Sequence, residues 1–317
     1  MAYADLTTDD WAALSDEQAR HLAERMAEAR GLRLVDVRWH EFAGRRHRLA
    51  LFDRDGMLFS LVPGGQALLG YDGARFQPTP AQAASYAESA GVFGPPTIAE
   101  YLDGVTSPQR EVSLPAMLVA VEPFEPCAQT LAVDDPRVLE LAAKAGGNPP
   151  RGGIMTFGPD GGGMELRFDD HGQIAGARTK TTVTYADAVE RVEGLGLRLS
   201  TPDEWEWACG AGATTLFRWG DDTPASGYPY DHWTGPHREP NLWGLNIGQD
   251  PYKHEWTTEP SIVCGGDGGG ATCGGDGFFV GWTTIATAYR NIEFGEWLNS
   301  DDGYIDELLV RPVIDLT

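Results

Sequence analysis

Beyond Phe217 the chain loses its periodicity. Short aromatic segments alternate with Gly, Asp, Asn and Pro up to the C-terminus, punctuated by Trp219, Trp233, Trp243, Trp256, Trp282 and Trp297. Such a stretch can fold only as long surface loops, each tied to a core by a large side chain, because backbone amides without a ladder must stay near water. The indoles are the expected pins. Forty glycines in 317 residues supply the turns that this architecture needs. A hydrophobic fraction of 42% leaves ample material for a real core.

The first two-thirds of the chain are more regular. Ser15 with Gln18 forms a capping box, Ala19, Leu22, Ala23 and Met26 share one face, and Gly31 is a stop signal, so 15–30 reads as a helix. Leu32–His40 and Arg48–Val62 read as strands, with Arg54-Asp55-Gly56 as a hairpin turn. The basic residues around His47 read as a solvated strand edge. Ser113–Phe124 is strand-like but interrupted by Pro115, and Pro136–Ala145 reads as a helix. Two Gly/Pro-rich stretches, 144–151 and 158–163, read as loops; Gly161–Gly163 lacks the Gly-Lys-Ser/Thr of a phosphate cradle. Thr184 with Asp187 opens another helix, and Thr201-Pro202-Asp203-Glu204 opens a third, with the cap, the first-turn proline and the answering carboxylate all present. Trp205 and Ala208 then face the core.

A formal net charge of −23 speaks against nucleic acid, which demands a basic footprint, and against anionic membrane surfaces. No apolar run approaches a membrane span. Met1–Asp10 has neither the basic start nor the apolar run of a secretory signal. Four cysteines, Cys127, Cys209, Cys264 and Cys273, are too few for a disulfide scaffold in a chain of this size. A reduced, cytoplasmic protein is the expectation. No Gly-x-Ser-x-Gly elbow and no Cys-x2-Cys pair occurs, which argues against a nucleophile-elbow hydrolase and a zinc ribbon.

Several segments, in order, resemble the formylglycine-generating enzyme (sulfatase-modifying factor) family. Arg198-Leu-Ser-Thr-Pro-Asp-Glu-Trp-Glu-Trp207 is similar to its Arg-Leu-Pro-Thr-Glu-Ala-Glu-Trp-Glu helix start, and Val183-Thr-Tyr-Ala-Asp-Ala-Val189 to the helix before it. Phe217-Arg-Trp-Gly-Asp221, Pro240-Asn-Leu-Trp-Gly-Leu245 and Glu255-Trp256-Thr257 follow the family's later motifs, and Phe59-Ser-Leu-Val-Pro-Gly-Gly65 with Leu69-Gly70 its early strand. The matches run over residues 55–316. The resemblance implies an α+β, C-type-lectin-like fold, loop-rich with little regular secondary structure. Residues 1–50 then form an N-terminal helix-and-strand extension, and 51–317 the family unit.

Family oxidases hold copper with a Cys-x4-Cys pair after a Gly-Gly-Ser strand, soft thiolates suiting Cu(I). Here the comparable stretch runs from Val263-Cys264-Gly-Gly-Asp to Cys273-Gly-Gly-Asp, so Cys264 and Cys273 are the candidate catalytic pair at a different spacing. The bland alternative is two small fillers in a glycine-rich loop. The family's calcium motif is represented by Glu255, with Asp250 as a substitute ligand and Asp267, Asp276, Asp301 and Asp302 as further oxygens. His254 stands where the family has tryptophan, and His232 and His237 lie just upstream. With Glu255 or Asp231 these histidines can be read as an open non-haem metal site or as ordinary loop histidines.

Two functions follow from the resemblance. One is a diverged oxidoreductase, dependent on copper or iron and oxygen, with structural calcium, acting on a peptide or small thiol-type substrate. The other is a non-catalytic binding module for a ligand or protein partner, with the aromatic, acidic loops of 219–256 and 264–304 as its contact surface.

Overall fold

A computed structural model describes residues 3–93, 97–144, 150–158, 163–298 and 308–316; Gly161, Gly162, Asp301 and Asp302 lie outside them. The N-terminal region is built from strong local signals. Thr7 and Ser15 each close a capping box, on the helices Thr8–Ala13 and Asp16–Arg30, and Gly31 ends the second helix in the left-handed region at φ 64°. Two tight turns then lay down three antiparallel strands, Arg33–Phe42, Arg45–Arg54 and Met57–Val62. Both turns need positive φ at two successive residues. Ala43-Gly44 (50°, 72°) and Asp55-Gly56 (54°, 89°) supply it, so the turn expected at Asp55-Gly56 forms.

Met117–Ala120 continues the sheet beside Met57–Val62. The C-terminal strand Pro312–Asp315 follows, and Arg198–Leu199 closes the far edge. All six strands are antiparallel to their neighbours. Both faces are buried, as the alternation in Met117–Ala120 shows. Leu118 and Ala120 pack with the N-terminal helices, the helix Tyr185–Gly194 and Trp256. Met117 and Val119 pack with Trp205, Trp207 and Trp243.

Residues 3–50 share this sheet and core: Trp11 and Met26 belong to one cluster with Phe59 and Leu118, and the boundary at residue 50 falls inside Arg45–Arg54. His47 and Arg48 are not a solvated edge. Both are buried, and Arg48 lies over Trp39 at 4.5 Å and Trp11 at 5.8 Å while donating to the carbonyls of Trp11 (3.0 Å) and Leu14 (2.7 Å). A guanidinium can sit there because aromatic faces and carbonyls replace its water.

Pro115 splits the expected strand. Arg110–Leu114 pairs with Gly65–Leu69, and only Met117–Ala120 joins the large sheet. A second unit, without a sequence expectation, is the four-stranded antiparallel sheet of Ala128–Leu131, Ile174–Lys180, Gly163–Phe168 and Ile154–Phe157. The helix Pro136–Lys144 packs on one of its faces through Val138. Helices at Pro80–Phe93 and Ile98–Val105 were likewise not foreseen.

From Phe217 on, long loops carry short helices at Gly270–Cys273, Phe278–Thr283 and Ile292–Leu298. Trp243, Trp256 and Trp282 are the buried pins, and Trp219 stacks on Phe217 at 4.8 Å. Trp297 is partly exposed, and Trp233 is 88% exposed, so Trp233 does not pin its loop. The architecture is α+β, mixing helices with antiparallel sheets. Among the described residues no helix is long and apolar enough to cross a membrane.

Candidate functional site

The helix Pro202–Gly210 organises the centre of the molecule. Thr201 accepts the Glu204 amide and Glu204 answers the Thr201 amide, while the same carboxylate takes Arg198 in a fork at 2.7 and 2.8 Å. Arg198 also reaches Asp315 at 2.6 Å, which fixes the helix to the closing strand. Trp205 donates its indole N–H to Glu255 (2.7 Å). Glu206, one turn along from Pro202, is buried and accepts from Ser107 (2.8 Å), from Arg290 (2.5 Å) and from the Gly70 amide.

Glu255 leads to the most buried charge in the fold. Arg311 is fully buried and places every guanidinium N–H: Nε and Nη2 on the two oxygens of Glu255 (2.8 and 2.7 Å), Nη1 on the carbonyls of Ala120 and Val121, and Nη2 also on that of Asn246. Arg218 is buried with no carboxylate partner among the described residues. It donates to the carbonyls of Gly248 (2.8 Å) and His237 (2.7 Å), lies over Trp219 at 5.0 Å, and is lowered to about 10 by burial. Asn241 clamps the neighbouring turn, donating to the carbonyls of Ala208 and Cys209 and accepting from the amides of Trp243 and Leu245.

The two candidate catalytic cysteines stand in different environments. Cys264, opposite Glu255 in a short ladder, is fully buried, and its sulfur accepts from Arg290 at 3.2 Å. Burial pushes its thiol up to about 12 in spite of that neighbour, so it is protonated at neutral pH. The following Gly265 passes under Trp205, where a Cβ would come within 2.8 Å of the indole. Cys273 ends the short helix Gly270–Cys273 and is exposed, with the Tyr252 hydroxyl 3.4 Å from its sulfur. The Tyr252 phenol is pushed up to about 12, the adjacent thiol being the chief cause. All four cysteines are free.

The candidate metal ligands are mostly committed elsewhere. His237 is buried and directs Nε2 at the carbonyls of Pro229 (3.0 Å) and His232 (3.1 Å), with its ring edge-on to Trp282. His232 directs Nε2 at the Ser226 carbonyl (3.0 Å). His254 is buried, packed against Gly268. Burial, acting first in both cases, lowers His237 and His254 to about 4, so both rings are neutral at pH 7. Glu255 gives both oxygens to Arg311, and Asp250 accepts the Tyr252 amide at 3.0 Å. Asp267 accepts the amides of Gly269 and Ala271, and burial raises it. Among the described residues no group of three or more His, Cys, Asp or Glu side chains is arranged to hold a metal ion. As they stand, these side chains do not fit copper, iron or calcium.

What the structure does bring together is Asp250 and Glu255, on the wall of a cleft of about 490 Å³. Its floor includes Phe124 and Leu309, and its walls carry Arg178, Arg191, Arg238 and Lys253. These cations come from a strand, a helix and two loops far apart in the chain, so no run of basic residues announces them. No protein-family model matches the chain, and no curated protein matches it.

A second surface lies alongside. Tyr228 stacks on Tyr230 (6.0 Å, 5° between planes), Tyr230 meets Tyr252 edge-on at 5.9 Å, and Trp233 projects from the same loop. That loop is held from beneath by Arg238, which donates to the carbonyls of His232 (3.2 Å) and Pro229 (3.1 Å). The aromatic ridge and the cleft therefore share Arg238.

Proposed function

We propose that the chain is a formylglycine-generating-enzyme-type unit of C-type-lectin-like fold that acts as a binding module for a protein or peptide partner, without thiolate–metal oxidase chemistry. The observation that carries this reading is the setting of Cys264: buried, protonated and bonded to Arg290, while Cys273 stands exposed. An oxidase of that type requires two accessible thiolates at one metal. The ordered family-like motifs support the fold assignment. Arg198, Glu204, Trp205 and Asn241 act in them as fasteners for loops and helix ends.

The binding surface is the ridge of Tyr228, Tyr230, Trp233 and Tyr252. Tyr230 and Trp233 are its exposed members, backed by the half-buried Tyr228 and Tyr252, and aromatics held in this way give contact area with little side-chain entropy to lose. The test has two arms. Copper(I)-loaded protein is expected to take up no oxygen with dithiothreitol or a cysteine-containing peptide; uptake that disappears in Cys264→Ala would overturn the proposal. A partner protein isolated on immobilised chain is expected to be lost with Trp233→Ser while far-UV circular dichroism is unchanged.

A further inference from the structure

The cleft of about 490 Å³ continues onto the open face of the four-stranded sheet, where a groove of about 320 Å³ shares Thr130 and Arg178 with it. Together they form a trough that runs from the loops at Arg238 and Lys253 to Ile154 on the sheet, at the upper end of small-ligand sites in size. The trough also has apolar positions: Phe124 and Leu309 in the cleft, and Ile154, 60% exposed, at the far end.

Its charges divide into spent and unspent. Arg178 and Lys180 are shared between Glu125 and Glu165, with contacts at 3.0, 3.1 and 3.4 Å among them, and Glu255 belongs to Arg311. Four other cations have no carboxylate partner among the described residues. Among the described residues Arg167 reaches only the Ala175 carbonyl (3.4 Å), and Arg191 the carbonyls of Pro126 (2.6 Å) and Ala128 (2.7 Å), with its guanidinium over the Phe124 ring at 5.9 Å. Among the described residues Arg238 holds two loop carbonyls and has no partner at Nη1, and the exposed Lys253 ammonium has no hydrogen bond or ion pair. Against them stand Glu122, which accepts from Asn246, and Asp250, which accepts one amide. In a chain of net charge −23, the unspent capacity of this trough is cationic and donor-rich.

We propose that the trough binds an extended peptide bearing a carboxylate, either an acidic side chain or a free C-terminus, with that group seated between Lys253 and Arg238. The inference rests on the binding-module reading and specifies its partner. The peptide backbone lies along the open sheet face, and its apolar side chains meet Phe124, Leu309 and Ile154. Charge complementarity at Lys253 and Arg238 sets preference, because a carboxylate there meets donors that otherwise find only water.

The experiment uses the full chain against an array of octapeptides with two, one or no acidic residues, each with a free or an amidated C-terminus. Binders are expected to be enriched in acidic residues, in free C-termini, or in both, which distinguishes the two sources of the carboxylate. Affinity for a bound acidic octapeptide, followed by fluorescence anisotropy, is expected to fall roughly tenfold or more in Lys253→Glu, the scale of one charge-assisted contact. Lys253→Glu is expected to keep the fold, Lys253 being exposed and without a hydrogen bond or ion pair among the described residues, and unchanged far-UV circular dichroism checks this; Trp233→Ser reports separately on the ridge. Binders indifferent to acid and to Lys253→Glu, yet lost with Trp233→Ser, overturn the trough and leave the module standing. Absence of any binding overturns the trough, and thiol-dependent oxygen uptake overturns the module.

Discussion

Arg311 and Glu255 offer the most decisive perturbation of this fold. Both are buried and joined at 2.7 and 2.8 Å, and Arg311 also holds three carbonyls, those of Ala120 and Val121 at the end of the strand Met117–Ala120 and that of Asn246 in its loop. Glu255→Gln keeps the shape but leaves a guanidinium in the interior without its counter-charge, which costs about 3–5 kcal/mol. Arg311→Met strands Glu255 with only the Trp205 N–H and takes a donor from the carbonyls of Ala120 and Asn246, while that of Val121 keeps the Asn246 amide, at a similar cost of about 3–5 kcal/mol. Each single change already incurs the penalty of an unpaired charge, so the double variant should cost less than the sum by about 1–3 kcal/mol. Urea denaturation of the four proteins of the cycle measures this directly, and a midpoint temperature lower by ~2–4 °C per kcal/mol is the thermal counterpart. A loss below about 1 kcal/mol for Glu255→Gln, or additive single variants, would refute the view that this pair braces the loops.

Three buried histidines set an acid limit. His47, His237 and His254 are each lowered to about 4, burial being the leading cause, while the unfolded chain protonates them near 6.5. The unfolded state therefore binds more protons between those values. Stability is fully present above pH ~6.5 and is lost as pH falls toward 4, by up to about 3 kcal/mol per histidine. Urea midpoints at pH 7, 6 and 5 check this, and equal midpoints would contradict it. Of the four thiols only Cys273 is exposed, so Ellman's reagent should react quickly with one thiol in the native protein and with the rest only on unfolding. Trp233→Ser should change stability by less than about 0.5 kcal/mol, as an exposed position predicts, whereas Trp205→Ala should cost ~3–5 kcal/mol.

The parts of the fold that could be read in advance are those governed by local chemistry. The capping boxes at Ser15, Thr184 and Thr201 form as their spacing requires, because each satisfies backbone donors within three residues. The Asp55-Gly56 turn forms for the same kind of reason. The four-stranded sheet was missed because its strands are short, polar on one face and separated by glycine-rich sequence, so the period-2 signal is weak. Arg48 was misread because its environment combines Trp39, its cross-strand partner in the first hairpin, with Trp11, whose proximity the packing of the N-terminal helices creates. The metal reading depended on residue types alone. It foresaw neither His237 turned onto carbonyls nor Glu255 committed to Arg311. The trough was illegible because Arg167, Arg191, Arg238 and Lys253 lie on different elements.

The same contrast separates scaffold from function in this molecule. Arg198, Glu204, Trp205, Glu206, Asn241 and Arg311 have their hydrogen-bonding groups engaged by named partners inside the fold. A group with its donors satisfied and its water removed has little left to offer a ligand, and disturbing it unfolds its surroundings before it alters recognition. Lys253, the Nη1 edge of Arg238 and the indole of Trp233 are the reverse: exposed or half-buried, and without a hydrogen-bond partner among the described residues. Substitutions in the first set should therefore register as lost stability, and in the second as lost binding at constant stability. A variant of Lys253 or Trp233 that lowered the urea midpoint as much as Glu255→Gln would break that division and return the ridge and the trough to the scaffold.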